Sequence, residues 1–332
     1  MGIVKKDRDP VVSAILEMGV LRNNIPQFLF AEGISYMSSV KLREEVIKYK
    51  DAGKTMDELD FILESPGGSA DEAYKIIRTL RKNFTTVNII IPFWAKSAAT
   101  LLSLGGNCIV LDEYSELGPL DVQLVKQRED SPIVDRESAL NDEYSLKRIE
   151  MRSLELFQTM FAVVYENDNI PINKAELSKQ IFDYLSDFYK PLMKQINPYQ
   201  LGDKKRKLEI GEKYADKILS LYHPQLSKDR KDYLVDYFIN GCPDHGYVID
   251  YDTIVLLLDG VKKSDTFGKD YERKLTELSL FLMKGNVSYV GFVEPEKGLK
   301  NEATENEEHA EQSTISVTDE IIKEVKSEEK LN

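Results

Sequence analysis

Phe61-Ile-Leu-Glu-Ser-Pro-Gly-Gly68 reads as a buried strand stopped by a sharp turn, and Trp94-Ala-Lys-Ser-Ala-Ala-Thr100 places Ser97 where a helix begins. Between them, Ala70–Phe84 carries Ala73, Ile76, Ile77, Leu80 and Phe84 at helical spacing, and Thr85–Ile91 is rich in β-branched residues, as a buried strand should be. Pro92 stops that strand, Gly105-Gly106 closes the helix that Ser97 opens, and Cys108–Asp112 reads as a third strand. Strands alternating with helices imply right-handed crossovers and a mainly parallel sheet. In such a sheet the Pro-Gly-Gly turn and the Ser97 helix start share the carboxyl edge, where sites collect. N–H groups near Gly67, Gly68 and Ala98 would then stand beside a hydroxyl, the parts that acyl transfer needs. Position alone is ambiguous, since a serine at a helix start is more often only an N-cap.

Outward from this centre, residues 10–20 and 38–49 read as amphipathic helices, and 26–31 and 59–64 as strands. Beyond Asp121 the pattern changes. Residues 126–142 are polar and read as a surface loop, followed by helices over 144–165, 174–189, 211–222 and 228–239. The run Lys204-Lys-Arg-Lys207 reads as a solvated loop or helix start. Mixed structure resumes at 241–249, with a buried helix over 251–258 and an amphipathic one over 269–283. The division expected is a β/α core over 1–143, a helical insertion or head over 144–240, a return to the core over 241–296, and a disordered acidic tail over 297–332. Within that tail Ile315–Val325 could form a short docking helix for a partner protein.

A net charge of −13 opposes nucleic acid or an anionic membrane as the main partner. Cys108 and Cys242 form no C-x-x-C pair, so neither a zinc site nor a disulfide framework is indicated, and both read as small buried hydrophobes. Asp112, Glu113 and Glu116 lack an interleaved histidine and read as a solvated turn, not a metal site. No cofactor is expected. No run approaches the apolar length of a membrane span, and the N-terminus makes a poor signal peptide, so a cytoplasmic protein is expected.

Ser-Pro-Gly-Gly68, Ala-Lys-Ser97-Ala-Ala-Thr and Glu116-Leu-Gly-Pro-Leu-Asp121-Val-Gln123, in this order and spacing, resemble the core of the Clp-protease and crotonase superfamily. Within it they are most similar to the serine dehydrogenase proteinase family, closely over about residues 55–125 and more loosely to about 262. The resemblance implies a ClpP/crotonase-like spiral β/α core with a helical insertion. It also implies a serine endopeptidase acting on peptides or proteins, with Ser97 as nucleophile, and a homo-oligomer packed through the helical head. The family orders its triad Ser, Asp, His, and Asp244-His245-Gly-Tyr-Val-Ile249 resembles its histidine segment. The residues implied are therefore Ser97, Asp121 and His245. Val122, Ala99 and Gly246 depart from the family's usual proline, glycine and aspartate.

The histidine count bears on the base. Of three histidines, His309 falls in the tail and His223, in Leu-Tyr-His-Pro, reads as a capping or surface residue, which leaves His245. A Ser–Lys dyad like that of related signal peptide peptidases is the rival, with Lys147 or Lys126 as base; Lys96, adjacent to Ser97, would point elsewhere. Two further readings stay open: a catalytically inactive assembly or binding relative, and an acyl-CoA-binding enzyme of the crotonase type.

Overall fold

The computed structural model describes residues 9–54, 57–120, 123–127, 134–167, 171, 173–244, 246–284 and 287–294. Elements run in the order α1 (Pro10–Leu21), β1 (Gln27–Ala31), α2 (Tyr36–Asp51), β2 (Glu58–Glu64), α3 (Ala70–Asn83), β3 (Thr86–Ile91), β4 (Trp94–Ala95), α4 (Ala98–Ser103), β5 (Cys108–Leu111) and β6 (Glu116–Leu117). They continue with β7 (Gln123–Gln127), β8 (Val134–Ser138), α5 (Ala139–Tyr165), α6 (Lys174–Met193), α7 (Pro198–Tyr222), α8 (Lys228–Asn240), α9 (Tyr251–Leu257), β9 (Val261–Lys263), α10 (Lys269–Lys284) and β10 (Tyr289–Phe292). The fold is mixed α/β. Its central sheet has the order β10-β1-β2-β3-β5-β9, parallel throughout except for β10, which runs antiparallel on β1.

The chain divides into two compact units, one of residues 1–118, 218–226 and 248–332, the other of 119–217 and 227–247. The first holds the whole central sheet. Alternation along its strands buries two faces. Phe28, Phe30 and Phe61 stack with Tyr49, Phe84 and Phe292 on one. Leu29, Ala31, Ile62, Ile90 and Val110 meet α1 and α10 on the other.

That second face carries a buried polar row. Gln27, Asp60, Asn88 and Cys108 lie in register across four strands. The Asp60 carboxylate, fully buried, accepts from the Arg22 guanidinium at 3.2 Å, from Gln27 Nε2 at 3.0 Å and from Asn88 Nδ2 at 2.8 Å. Breaking a buried, paired charge leaves the partner uncompensated. Asp60→Leu is therefore expected to destabilise the fold by about 3–5 kcal/mol, read as a lower urea midpoint; an unchanged midpoint would show the row to be passive.

The second unit contains the β7–β8 hairpin and the helical region. Of residues 126–142, expected as a loop, Lys126 and Gln127 end β7, Val134–Ser138 form β8 and 139–142 begin α5, while the rest lie outside the described residues. The hairpin strands are held by ladder hydrogen bonds, which leave no alternating apolar signature. Lys204–Lys207 lie inside α7, which starts at Pro198, because lysine, arginine and glutamate are good helix formers whatever their charge. Lys204 is buried, against the solvated reading. Leu177, Ile181 and Leu185 of α6 form the small core of the α5–α6 hairpin with Leu156, Phe157, Met160, Phe161 and Val164. No helix among the described residues is long and apolar enough to cross a membrane. The expected tail lies outside the described residues.

Candidate active site

β2 does not stop at Glu64. Ser65 continues it by donating its N–H to Trp94 O at 3.1 Å and accepting from Lys96 N at 3.0 Å. This register places the Ser65-Pro-Gly-Gly68 turn directly against the start of α4. Gly67 has φ +96, and a methyl group there would lie 2.5 Å from Lys96 O, 2.9 Å from Ser97 Cβ and 3.1 Å from Ala98 N. Only glycine permits both that backbone angle and that approach. Ile34 N–H donates to Gly67 O at 2.8 Å, which turns the Gly68 N–H, on the other side of the same trans peptide, away from Ile34. The Gly67 N–H itself donates to Ser65 Oγ at 3.2 Å. Among the described residues neither Gly68 N–H nor Ala98 N–H has a hydrogen-bond partner.

Ser97 itself is held at φ +51 and ψ −118. The other non-glycine residues with positive φ among those described are Asn23 and Asn24, a type that tolerates it. Such strain typically costs about 1–3 kcal/mol and gathers at functional sites. The N-cap reading fails, because the Ser97 side chain makes no capping hydrogen bond to α4. The residue is partly exposed while every residue of α4 is buried.

Sequence reasoning missed the residues that brace this corner. Lys96 is buried, pairs with Glu116 at 2.8 Å and donates to Leu117 O at 3.3 Å. Thr100 Oγ1 stands 2.7 Å from Ala95 O and 2.8 Å from Gly118 O, and accepts the Gly118 N–H at 3.1 Å. The two side chains flank Ser97 in sequence and tie β6 to α4. Lys96 points to β6. Glu64 Oε2 accepts from Phe93 N and Trp94 N, each at 3.2 Å, at the turn into β4. Burial, with some repulsion from Glu116, pushes its carboxyl up to about 8. Only their place in the quoted motifs could have pointed to these three residues.

β6 is also a hub. Ala95 pairs with Leu117, and Leu117 exchanges both backbone hydrogen bonds with Ile249, at 2.9 and 3.1 Å.

The remaining sequence-derived site residues fare differently. Asp121 and His245 lie outside the described residues, and the side chain of Lys126 does too. Lys147 is exposed on α5 and lines a groove with Met151, Leu154 and Phe182 in the second unit. His223, expected at a cap or on the surface, is buried, with Nε2 2.8 Å from Leu104 O. Asp112, too, is buried. It accepts from Ser264 at 2.9 Å and Thr276 at 2.6 Å, a structural role in place of the solvated turn expected. Cys108 and Cys242 are buried and are not joined in a disulfide.

Residues 24–148 match the family of ClpP-like SDH-type serine proteinases. Over those residues the chain is similar to that family. The matching segment includes β1 to β8, Ser97 and the glycine turn. Among curated proteins, MJ0137 of Methanocaldococcus jannaschii, itself uncharacterised, is 30% identical over 96 residues, 29% of this chain and 34% of that protein. MJ1495 of the same organism, also uncharacterised, is 32% identical over 66 residues, 20% of this chain and 23% of that protein. The chain thus spans about a third or less of the length of these relatives. Among solved structures, a mutant of the 1510-N membrane-bound stomatin-specific protease overlaps with a TM-score of 0.27 at 14% identity, over 46% of this chain and 66% of that one. The ClpP protease catalytic domain from Plasmodium falciparum gives 0.25 at 16% identity, over 35% and 60%.

Proposed function

We propose that the chain is a serine endopeptidase working through an acyl-enzyme on Ser97. The observation that carries the reading is the strained, non-capping Ser97 set against Gly67, with the Gly68 and Ala98 N–H groups as candidate oxyanion donors. Ser97 Oγ attacks the scissile carbonyl carbon and its proton passes to the base. The carbonyl oxygen becomes an oxyanion held by the two N–H groups. The C–N bond then breaks, the amine leaves with the proton, and water releases the acyl group.

We assign His245 as that base and Asp121 as the group that fixes its tautomer. The assignment rests on the order of the three motifs along the sequence, Ser97, then Asp121, then His245, and on their likeness to the family's Ser, Asp, His order. Lys147 remains the alternative base. The direct assay is cleavage of an unstructured protein such as casein, with the new amino termini mapped by mass spectrometry. Fragments from wild type that Ser97→Ala does not produce support the reading; no fragments, or the same ones from both, would remove it.

The acting form is a homo-oligomer joined through the α5–α6 hairpin. The groove between these helices, about 790 Å³, exposes Met151, Leu154 and Phe182. An exposed apolar groove of this kind marks an interaction surface. α5 and α6 carry a net charge of −1 out of −13 for the chain, so charge repulsion between copies is small here. Light scattering should show wild type as a multimer and the Leu154→Glu/Phe182→Glu double variant at 38.0 kDa, the monomer mass. A monomeric wild type would contradict this.

A further inference from the structure

The His223 contact joins the far end of the nucleophile's helix to a residue 119 positions away. The carbonyl of Leu104 can only accept, so His223 Nε2 carries the proton and donates. Leu104 is the C-cap of α4, and α4 has only six residues, all buried. Its opposite end is Ser97. One turn and a half of helix leaves little slack, so a shift of the Leu104 carbonyl is passed to the serine as a movement of the whole piece.

The surroundings of His223 hold it firmly. Its backbone N–H donates to Leu219 O at 2.9 Å, closing the last turn of α7. The neighbouring Tyr222 ring lies under the Arg81 guanidinium at 4.9 Å, and a methyl group on Gly105 would come within 3.3 Å of that ring. Residues 218–226 belong to the same compact unit as Ser97 and α4. The last turn of α7 therefore forms a fixed wall behind α4, and the imidazole is its polar contact with the helix end.

We infer that His223 is a positioning residue for the Ser97 reaction, acting through its hydrogen bond to the Leu104 carbonyl and not through proton transfer. The inference rests on the peptidase reading of Ser97. It predicts a split between rate and affinity. Losing the donor lets α4 settle toward its C-terminal end and moves Ser97 off the line of attack, while the substrate-binding surfaces stay in place. Misplacement of a reacting group by about 1 Å can cost on the order of 100-fold.

The test compares His223→Leu, which fills the space without a donor, with His223→Gln, whose amide nitrogen reaches the place of Nε2. Reaction of Ser97 with a fluorophosphonate probe should slow about 10–100-fold in H223L and stay within about threefold of wild type in H223Q, with KM for a peptide substrate unchanged in both. Equal rates in wild type and H223L would overturn the inference and leave Ser97 as nucleophile untouched. So would H223Q as slow as H223L. If H223L does not fold, His223→Asn takes its place, since its shorter amide stops short of Leu104. Amide hydrogen exchange supplies an arm that needs no activity: the amides of residues 101–104 should exchange faster in H223L while the strands of the sheet do not change. Unchanged exchange there overturns the inference even if wild-type Ser97 proves unreactive, and an unreactive wild type is by itself the failure of the peptidase reading.

Discussion

Ser97→Ala is expected to abolish peptide hydrolysis, a loss on the order of 10⁶-fold for a nucleophile that acts as one unit with its base. The fold should hardly notice. The Ser97 hydroxyl caps nothing in α4, so its removal takes no helix-end bond with it. Substitutions away from packing and capping features usually change stability by less than about 0.5 kcal/mol. Ser97→Gly sharpens the point. At φ +51 the serine is strained and glycine is not. The glycine variant should therefore be inactive and more stable than wild type, by about 1 kcal/mol in urea unfolding. A structural serine would show the reverse, with stability lost and hydrolysis kept.

Gly67→Ala is the second substitution with a large expected effect. Its new methyl would stand 2.5 Å from the Lys96 carbonyl oxygen and 2.9 Å from Ser97 Cβ, on a backbone at φ +96. Backbone on both sides cannot yield as a flexible side chain would. The turn must move off α4, and the Gly68 N–H moves with it. Loss of one oxyanion donor typically costs about 100–1000-fold in kcat. Alanine at a positive φ also destabilises, by more than the ~1 kcal/mol that glycine replacement can gain elsewhere. Steady-state kinetics on the folded fraction separates the two effects. A variant with wild-type kcat would show that the Pro-Gly-Gly turn has no part in the chemistry.

The periodic elements were legible. β2, α3 and β3 follow from the apolar run at 59–63, the helical spacing of Ala73 to Leu80 and the β-branched run at 87–91. β9 and β10 were not, because short edge strands such as Val261-Lys-Lys263 carry no face-to-face alternation to detect. The same held for β7 and β8. In α2, expected as an amphipathic helix, Ile47 is exposed and Tyr49 is buried. At the site, Ser97, Gly67, Gly68 and Ala98 could be named because local motif and geometry coincide there. Lys96, Thr100 and Glu64 could not, since their partners are set by the register of β4 and β6 and not by anything adjacent in sequence. His223 was misjudged for the same reason: a helix-end histidine looks solvent-facing until the fold brings Leu104 to it.

The central claim is that Ser97 is an activated nucleophile. The measurement that bears on it most directly is mass-spectrometric mapping of the adduct formed when the intact protein meets a fluorophosphonate probe. The account predicts a single adduct on Ser97, absent from Ser97→Ala and slowed in Gly67→Ala. An unmodified Ser97, with peptide cleavage unaltered in Ser97→Ala, would contradict it.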